Sequence, residues 1–154
     1  MRKLAVLFVF VLFSSCATHT SFYDFYEKNH SDSDFSIGLN SSLLSNFLSD
    51  EDYEEIKPIL RKAKHVRILV FSDNYDPMRK KFNKFIKRSD FENLISIKDD
   101  EDKVKIYTLE NKDKIKEIVV DISTGEELVL LGLKTNISPD DLSKLLRDND
   151  ISFN

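Results

Sequence analysis

The chain has 154 residues, which is enough for one domain with its own core and too few for two of ordinary size. Its 23 basic and 27 acidic side chains give a net charge of −4, and this excess of acid disfavours general nucleic-acid binding. A single cysteine excludes an internal disulfide, and three glycines and three prolines are too few for a low-complexity chain.

The first sixteen residues have the layout of a secretory signal. Arg2 and Lys3 are followed by an apolar run from Leu4 to Phe13, and two serines then precede Cys16. A cysteine at this point is typical of a bacterial lipoprotein, although Phe13 stands where such signals usually carry leucine. The alternatives are an uncleaved anchor, for which the run is half the roughly 20 residues required, and a buried cysteine. We expect a signal peptide over residues 1–15 and a lipid on Cys16.

Residues 16–34 are predicted to form the lipidated N-terminus and a tether that contains a short aromatic segment. Phe22, Phe25 and Tyr26 follow the i, i+3, i+4 spacing of one helix face. This face could pack on the domain or lie at the membrane interface as an aromatic foot. We favour packing, because the apolar face of a short helix usually belongs to a core.

Residues 35–154 are predicted to form a single domain. Phe35, Ile37 and Leu39 alternate with small residues and predict a short strand with one buried face. Two helical patterns follow between Leu43 and Leu60, the second interrupted by Pro58. The apolar run from Val66 to Phe71 predicts a central strand that is covered on both faces.

A basic amphipathic helix is predicted after this strand, with Asp76 as its N-cap and Pro77 as its first residue. Its apolar stripe consists of Met78, Phe82, Phe85 and Ile86. No acidic residue lies between Pro77 and Ser89, and the basic residues of this stretch are Arg79, Lys80, Lys81, Lys84, Lys87 and Arg88.

The second half of the chain predicts four strands joined by short turns, which is an antiparallel meander. A final helix begins at Ser138 and Pro139. The expected fold is therefore α+β: a two-layer domain with a largely antiparallel sheet that ends in a meander and helices on one face.

Three stretches carry a resemblance to a known family: Leu44 to Leu60, Val66 to Val70, and Leu94 to Asp100 with Val104 to Tyr107. Together with the order of elements, they resemble the family catalogued as domain of unknown function 4252, from about Phe22 to the last helix. Members of that family look like small envelope lipoproteins of Gram-negative bacteria. The resemblance implies export and an α+β fold, and it carries no catalytic signature.

The residues that carry common chemistries are scattered. His19, His30 and His65 have no ligand partner at metal-site spacing, and the glycines are isolated, so neither a metal nor a nucleotide cofactor is expected. The acidic run from Asp99 to Asp102 lacks the alternating ligands and glycine of a calcium loop and is typical of a solvated turn.

The basic helix is the strongest candidate for binding, through Arg79, Lys80, Lys84 and Lys87. On an exported protein its partners would be anionic lipid headgroups or an acidic protein, and the alternative is a solvated face that binds nothing. We expect a non-enzymatic lipoprotein of the outer membrane that faces the periplasm and acts in protein binding or envelope sensing. An envelope hydrolase with carboxylates gathered by the fold, or a lipid carrier with an apolar cavity, are the alternatives.

Overall fold

The computed structural model describes residues 20–40, 42–43 and 61–148. The predicted signal peptide and Cys16 lie outside these residues, and so do the helices predicted between Leu43 and Leu60 apart from Leu43 itself. Within them, the helices are α1 (Phe22–Asn29), a short 3-10 helix (His30–Asp32), α2 (Asp76–Arg88) and α3 (Pro139–Asp148). The strands are β1 (Phe35–Asn40), β2 (His65–Phe71), β3 (Phe91–Asp99), β4 (Asp102–Asn111), β5 (Lys114–Ser123) and β6 (Leu128–Ile137).

The strands form one six-stranded sheet in the order β1-β2-β6-β5-β4-β3. Every neighbouring pair is antiparallel. The predicted meander from β3 to β6 is confirmed, and so is the central position of the apolar strand β2 between β1 and β6. The α+β class is likewise confirmed.

The core is divided between the two faces of the sheet. Leu69 and Leu130 pack with α1 and α2 on one face, whereas Val66 and Leu133 cluster with Leu142 of α3 on the other. The structure thus differs from the expectation of helices on one face only. The reason is that β2 and β6 are apolar at successive positions, so both of their faces require cover.

The aromatic segment of α1 is part of the core. Phe22, Phe25 and Tyr26 are all buried against the sheet and α2, which confirms packing rather than a membrane-interface foot. A Cβ at Gly132 of β6 would overlap the Phe22 ring, so this glycine lets the ring lie directly on the strand. The packed domain therefore begins before the boundary expected at residue 35.

Candidate functional site

Local hydrogen bonds fix the start of α1. The Ser21 hydroxyl accepts from the Asp24 backbone N–H at 3.2 Å, and the Asp24 carboxylate accepts from the Ser21 backbone N–H at 3.3 Å, which is a reciprocal capping box. The Glu117 carboxylate on β5 also accepts from the Phe22 backbone N–H at 2.7 Å. The N-terminus of α1 is therefore tied to the sheet.

Burial around Glu117 raises the pKa of its carboxyl group, and the nearby Asp24 carboxylate acts in the same direction. The hydrogen bond from Phe22 and the positive charge of Lys134 oppose this shift in pKa. Since burial is the largest of these effects, the folded protein holds the Glu117 proton more tightly than an exposed glutamate would.

The basic helix α2 has its predicted apolar stripe, with Met78 and Phe82 buried and Phe85 and Ile86 partly buried. Its start is one residue earlier than expected: Tyr75 is the N-cap, without a side-chain capping bond, and Asp76 is helical. The N-cap prediction for Asp76 is therefore wrong. The Asp76 carboxylate lies in the first turn, where it still interacts favourably with the positive end of the helix dipole.

Arg79 lies apart from the other three predicted binding residues. Its Nη1 atom donates to both carboxylate oxygens of Asp121 on β5, at 2.6 and 2.7 Å. The Asp121 side chain is 3% exposed and that of Arg79 is 20% exposed. A carboxylate this buried requires a charged partner, so Arg79 joins α2 to the sheet and does not face solvent with the lysines.

Lys80, Lys84 and Lys87 are exposed and lie on one side of α2, because their spacing of four and three residues returns to the same face. Lys84 also lines a groove of about 360 Å³ between α1 and α2, which we call the α1–α2 groove. Among its described lining residues, four are basic and none is acidic: Lys28, Lys81, Lys84 and Arg88.

The floor of the α1–α2 groove is aromatic. The rings of Phe25 and Phe85 lie 4.9 Å apart between centroids, and both line the groove. Lys81 forms an ion pair of 3.3 Å with Asp32, and both of these side chains are 55% exposed. An ion pair that exposed contributes little, so it leaves Lys81 free to exchange partners. The groove thus combines an apolar floor with a cationic rim.

A second cleft, of about 580 Å³, lies at the opposite end of α2 and is acidic. Its lining includes the carboxylates of Asp73, Asp76, Glu126 and Glu127, and all four residues are exposed. Asp76 and Arg88 lie roughly 18 Å apart along the helix, at 1.5 Å per residue. The helix therefore runs from an acidic cleft to a basic groove.

The described residues contain no group of three or more His, Cys, Asp or Glu side chains arranged to hold a metal ion. Among the helices that the structure describes, none is long and apolar enough to cross a membrane.

A family model with the description "Domain of unknown function (DUF4252)" matches residues 26–145, well over half of the chain. The chain belongs to the DUF4252 family. The resemblance seen in the sequence is thereby confirmed. The comparisons with curated proteins and with solved structures find no match. The DUF4252 match includes the whole of α2 and the basic rim of the α1–α2 groove.

Sequence reasoning found Lys84 and missed Lys28 and Arg88 as partners in one groove. Lys28 lies in the last turn of α1, more than fifty positions before Lys84, and only the packing of Phe25 on Phe85 brings the two helices together. The sequence signal for Lys28 was a basic residue within the aromatic α1 segment. Basic residues are too common in surface helices for this signal alone to identify a binding residue.

Proposed function

We propose that the protein is a non-enzymatic envelope lipoprotein that binds anionic phospholipid headgroups through the α1–α2 groove. In this proposal residues 1–15 are a cleaved signal peptide, and Cys16 carries the lipid that anchors the chain in the outer membrane, facing the periplasm. The observation that carries the proposal is that Thr20, four residues after Cys16, lines the same groove as four basic side chains.

Chain length places the groove close to the anchor. Four residues span at most about 14 Å when fully extended. If Cys16 is held at the membrane surface, Thr20 and the groove it lines cannot lie far from the headgroups. Interactions between exposed charges extend over about 8 Å at physiological ionic strength. The tether is therefore short enough for the basic rim to come within electrostatic reach of the membrane.

The charge distribution favours one of these orientations. Each basic residue close to an anionic membrane surface contributes about 1 kcal/mol, and the groove carries four. The acidic cleft at the start of α2 would be repelled by the same surface. The aromatic floor of Phe25 and Phe85 suits the glycerol and upper acyl carbons that lie beside a phosphate. Together these features support a headgroup site rather than a solvated basic face.

A non-enzymatic role agrees with the character of the acidic cleft. A hydrolase that relies on paired carboxylates needs a partly desolvated site in which the two groups differ in protonation. The carboxylates of Asp73, Asp76, Glu126 and Glu127 are exposed to water. This arrangement favours binding over the hydrolase alternative.

The lipid anchor is tested by intact-mass analysis of the membrane fraction, with Cys16→Ser as the control. The expected wild-type mass is that of residues 16–154 plus the lipid, and the variant should lack the lipid. A wild-type protein with the unmodified mass of the full chain would contradict the proposal.

Headgroup binding is tested separately by flotation of the mature chain carrying Cys16→Ser, so that the anchor makes no contribution. We expect flotation with vesicles that contain phosphatidylglycerol and none with pure phosphatidylcholine. The double variant Lys28→Glu/Lys84→Glu should stay in the unbound fraction. Lys98→Glu/Lys103→Glu, which alters a cross-strand pair at the far end of the sheet, is the charge-matched control and should float. Equal flotation on both vesicle types, or equal loss in both variants, would contradict groove binding and favour an acidic protein partner.

A further inference from the structure

A third cleft, of about 320 Å³, lies on the face of the sheet that α1 covers, where β2, β5 and β6 meet the first turn of this helix. We call it the β2–β6 cleft. Its charged residues come from neighbouring strands: His65 is the cross-strand partner of Lys134, which is also paired with Glu117. Arg67 lies two residues further along β2, opposite Gly132. The cleft is separate from the α1–α2 groove, and the two have no described lining residue in common.

Arg67 is held in a fixed position in this cleft. Its guanidinium carbon lies 5.1 Å from the centre of the Tyr23 ring and 5.4 Å from that of Tyr26, which are cation–π distances. Its Nη1 atom donates to the backbone carbonyl of Val66 at 3.2 Å. A guanidinium that is already oriented loses little entropy when it binds an anion.

The hydrogen bonding of Arg67 is incomplete. Its Nε atom is buried and has no hydrogen-bond partner among the described residues. Arg79 pairs with the Asp121 carboxylate at 2.6 Å, and its Nη2 atom is likewise buried without a hydrogen-bond partner among the described residues. Buried donors are nearly always satisfied in native proteins, so the unused Nε of the partly buried Arg67 is open to a further partner. An anion in the cleft would supply the negative charge that Asp121 supplies to Arg79.

The charged side chains that line the cleft favour a ligand with one negative charge. Arg67 and Lys134 contribute two positive charges, and Glu117, whose carboxylate accepts from Phe22, contributes one negative charge. One carboxylate would therefore neutralise the cleft, whereas a phosphate dianion would leave it negative. The Phe22 and Tyr23 rings add apolar walls. A volume of about 320 Å³ is at the small end of the range for ligand pockets.

We propose that the β2–β6 cleft binds a small organic acid, with its carboxylate held by Arg67 and Lys134 and its apolar part against Phe22 and Tyr23. Binding of this acid is reversible and involves no covalent bond. The site is a binding site only, and it is independent of headgroup binding in the α1–α2 groove.

The test uses benzoate as the probe, titrated into the isotopically labelled full chain with Cys16→Ser and followed by nuclear magnetic resonance. We expect saturable shifts centred on Arg67, Gly132 and the first turn of α1. Benzamide, which has nearly the same shape without the charge, should bind at least about tenfold more weakly, and so should inorganic phosphate. Comparable affinity for benzamide, or tighter binding of phosphate, would overturn the assignment of a carboxylate ligand.

Variants locate the site. Arg67→Gln should weaken benzoate binding at least about tenfold, since a charged partner of the ligand is lost. Lys134→Gln alters an exposed side chain, keeps the fold and should also weaken binding. Gly38→Ala leaves every charge in place but puts a methyl group 2.9 Å from Nη1 of Arg67, so it should weaken binding by displacing the guanidinium. The control Lys98→Gln should bind as the wild type does. Unchanged affinity in Lys134→Gln and Gly38→Ala would overturn the proposal even if Arg67→Gln failed to fold.

Discussion

The backbone N–H of Phe22 donates a hydrogen bond of 2.7 Å to the carboxylate of Glu117, across 95 positions of the chain. This contact joins the first turn of α1 to β5 and holds a partly buried carboxylate in the lining of the β2–β6 cleft. Burial is the main cause of the raised pKa of Glu117. The contact that holds α1 on the sheet therefore involves a carboxyl group whose protonation depends on pH.

The stability that Glu117 contributes should decrease as pH rises. Because its pKa is higher in the folded than in the unfolded chain, the contribution is fully present below the unfolded pKa and is lost as pH rises through the folded pKa. Glu117→Gln keeps an acceptor for Phe22 and cannot ionise. Urea unfolding at several pH values from 4 to 7 should therefore show the wild type losing stability relative to the variant as pH increases. A difference that grows in favour of the wild type would contradict the raised pKa.

Gly132→Ala should destabilise the domain by about 1–3 kcal/mol, because the added methyl group would overlap the buried Phe22 ring. Denaturant unfolding measures the loss. Gly125→Ala is the control, since a Cβ there would meet only the end of the flexible Glu101 side chain. In the background of Phe22→Ala the cost of Gly132→Ala should largely disappear. A cost that persists there would show that the clash with Phe22 is not its cause.

Arg79→Met should cost on the order of 3 kcal/mol, because it leaves the buried Asp121 carboxylate without its charged partner. Asp121→Asn should cost less, since the amide oxygen still accepts from Arg79. The double variant Arg79→Met/Asp121→Leu replaces both charges with apolar groups and should be more stable than Arg79→Met alone. Thermal and urea unfolding of each variant measure these changes in the free energy of unfolding. If Arg79→Met were as stable as the wild type, the pair would have no structural role.

Headgroup binding should depend on the groove and not on every basic residue of α2. Lys80→Gln/Lys87→Gln should reduce flotation on phosphatidylglycerol vesicles less than Lys28→Gln/Lys84→Gln, because Lys80 and Lys87 do not line the α1–α2 groove. Raising the salt concentration from 0.1 to 1 M should release the protein, since the Debye length falls from about 10 to 3 Å. Equal effects of the two double variants would indicate diffuse attraction to the whole helix.

The start of α3, which follows β6, is fixed by local hydrogen bonds that can be tested by substitution. The Ser138 hydroxyl accepts from the Asp141 backbone N–H at 3.1 Å, and the Asp141 carboxylate accepts from the Ser138 backbone N–H at 3.3 Å. Ser138→Ala should therefore destabilise the domain by about 1 kcal/mol in urea unfolding. Ser143→Ala, an exposed change within α3, is the control and should have little effect. Equal losses in both variants would argue against the cap.

The sequence by itself determined the elements that depend on local periodicity and turn chemistry. The strands β1 and β2, the hairpins of the meander and the Ser138–Pro139 helix start were all predictable, because each depends on residues a few positions apart. The predicted buried face of β1 was wrong, since Phe35 is exposed and Ile37 and Leu39 are only partly buried. The apolar stripe of α2 was predictable for the same reason. The signal-like pattern that ends at Cys16 is also a local feature, and the lipid anchor inferred from it stays a prediction.

Only the tertiary structure decided which charges meet. The sequence of α2 groups Arg79 with Lys80, Lys84 and Lys87, but a carboxylate 42 positions away holds Arg79 against the sheet. Lys28 lies near Lys84 because Phe25 packs on Phe85, and Arg67 lies against the rings of Tyr23 and Tyr26 on α1. Such pairings depend on strand order and on which face of the sheet each helix covers. The periodicity of a single segment contains neither, since it records which side of an element is buried and not what lies against it.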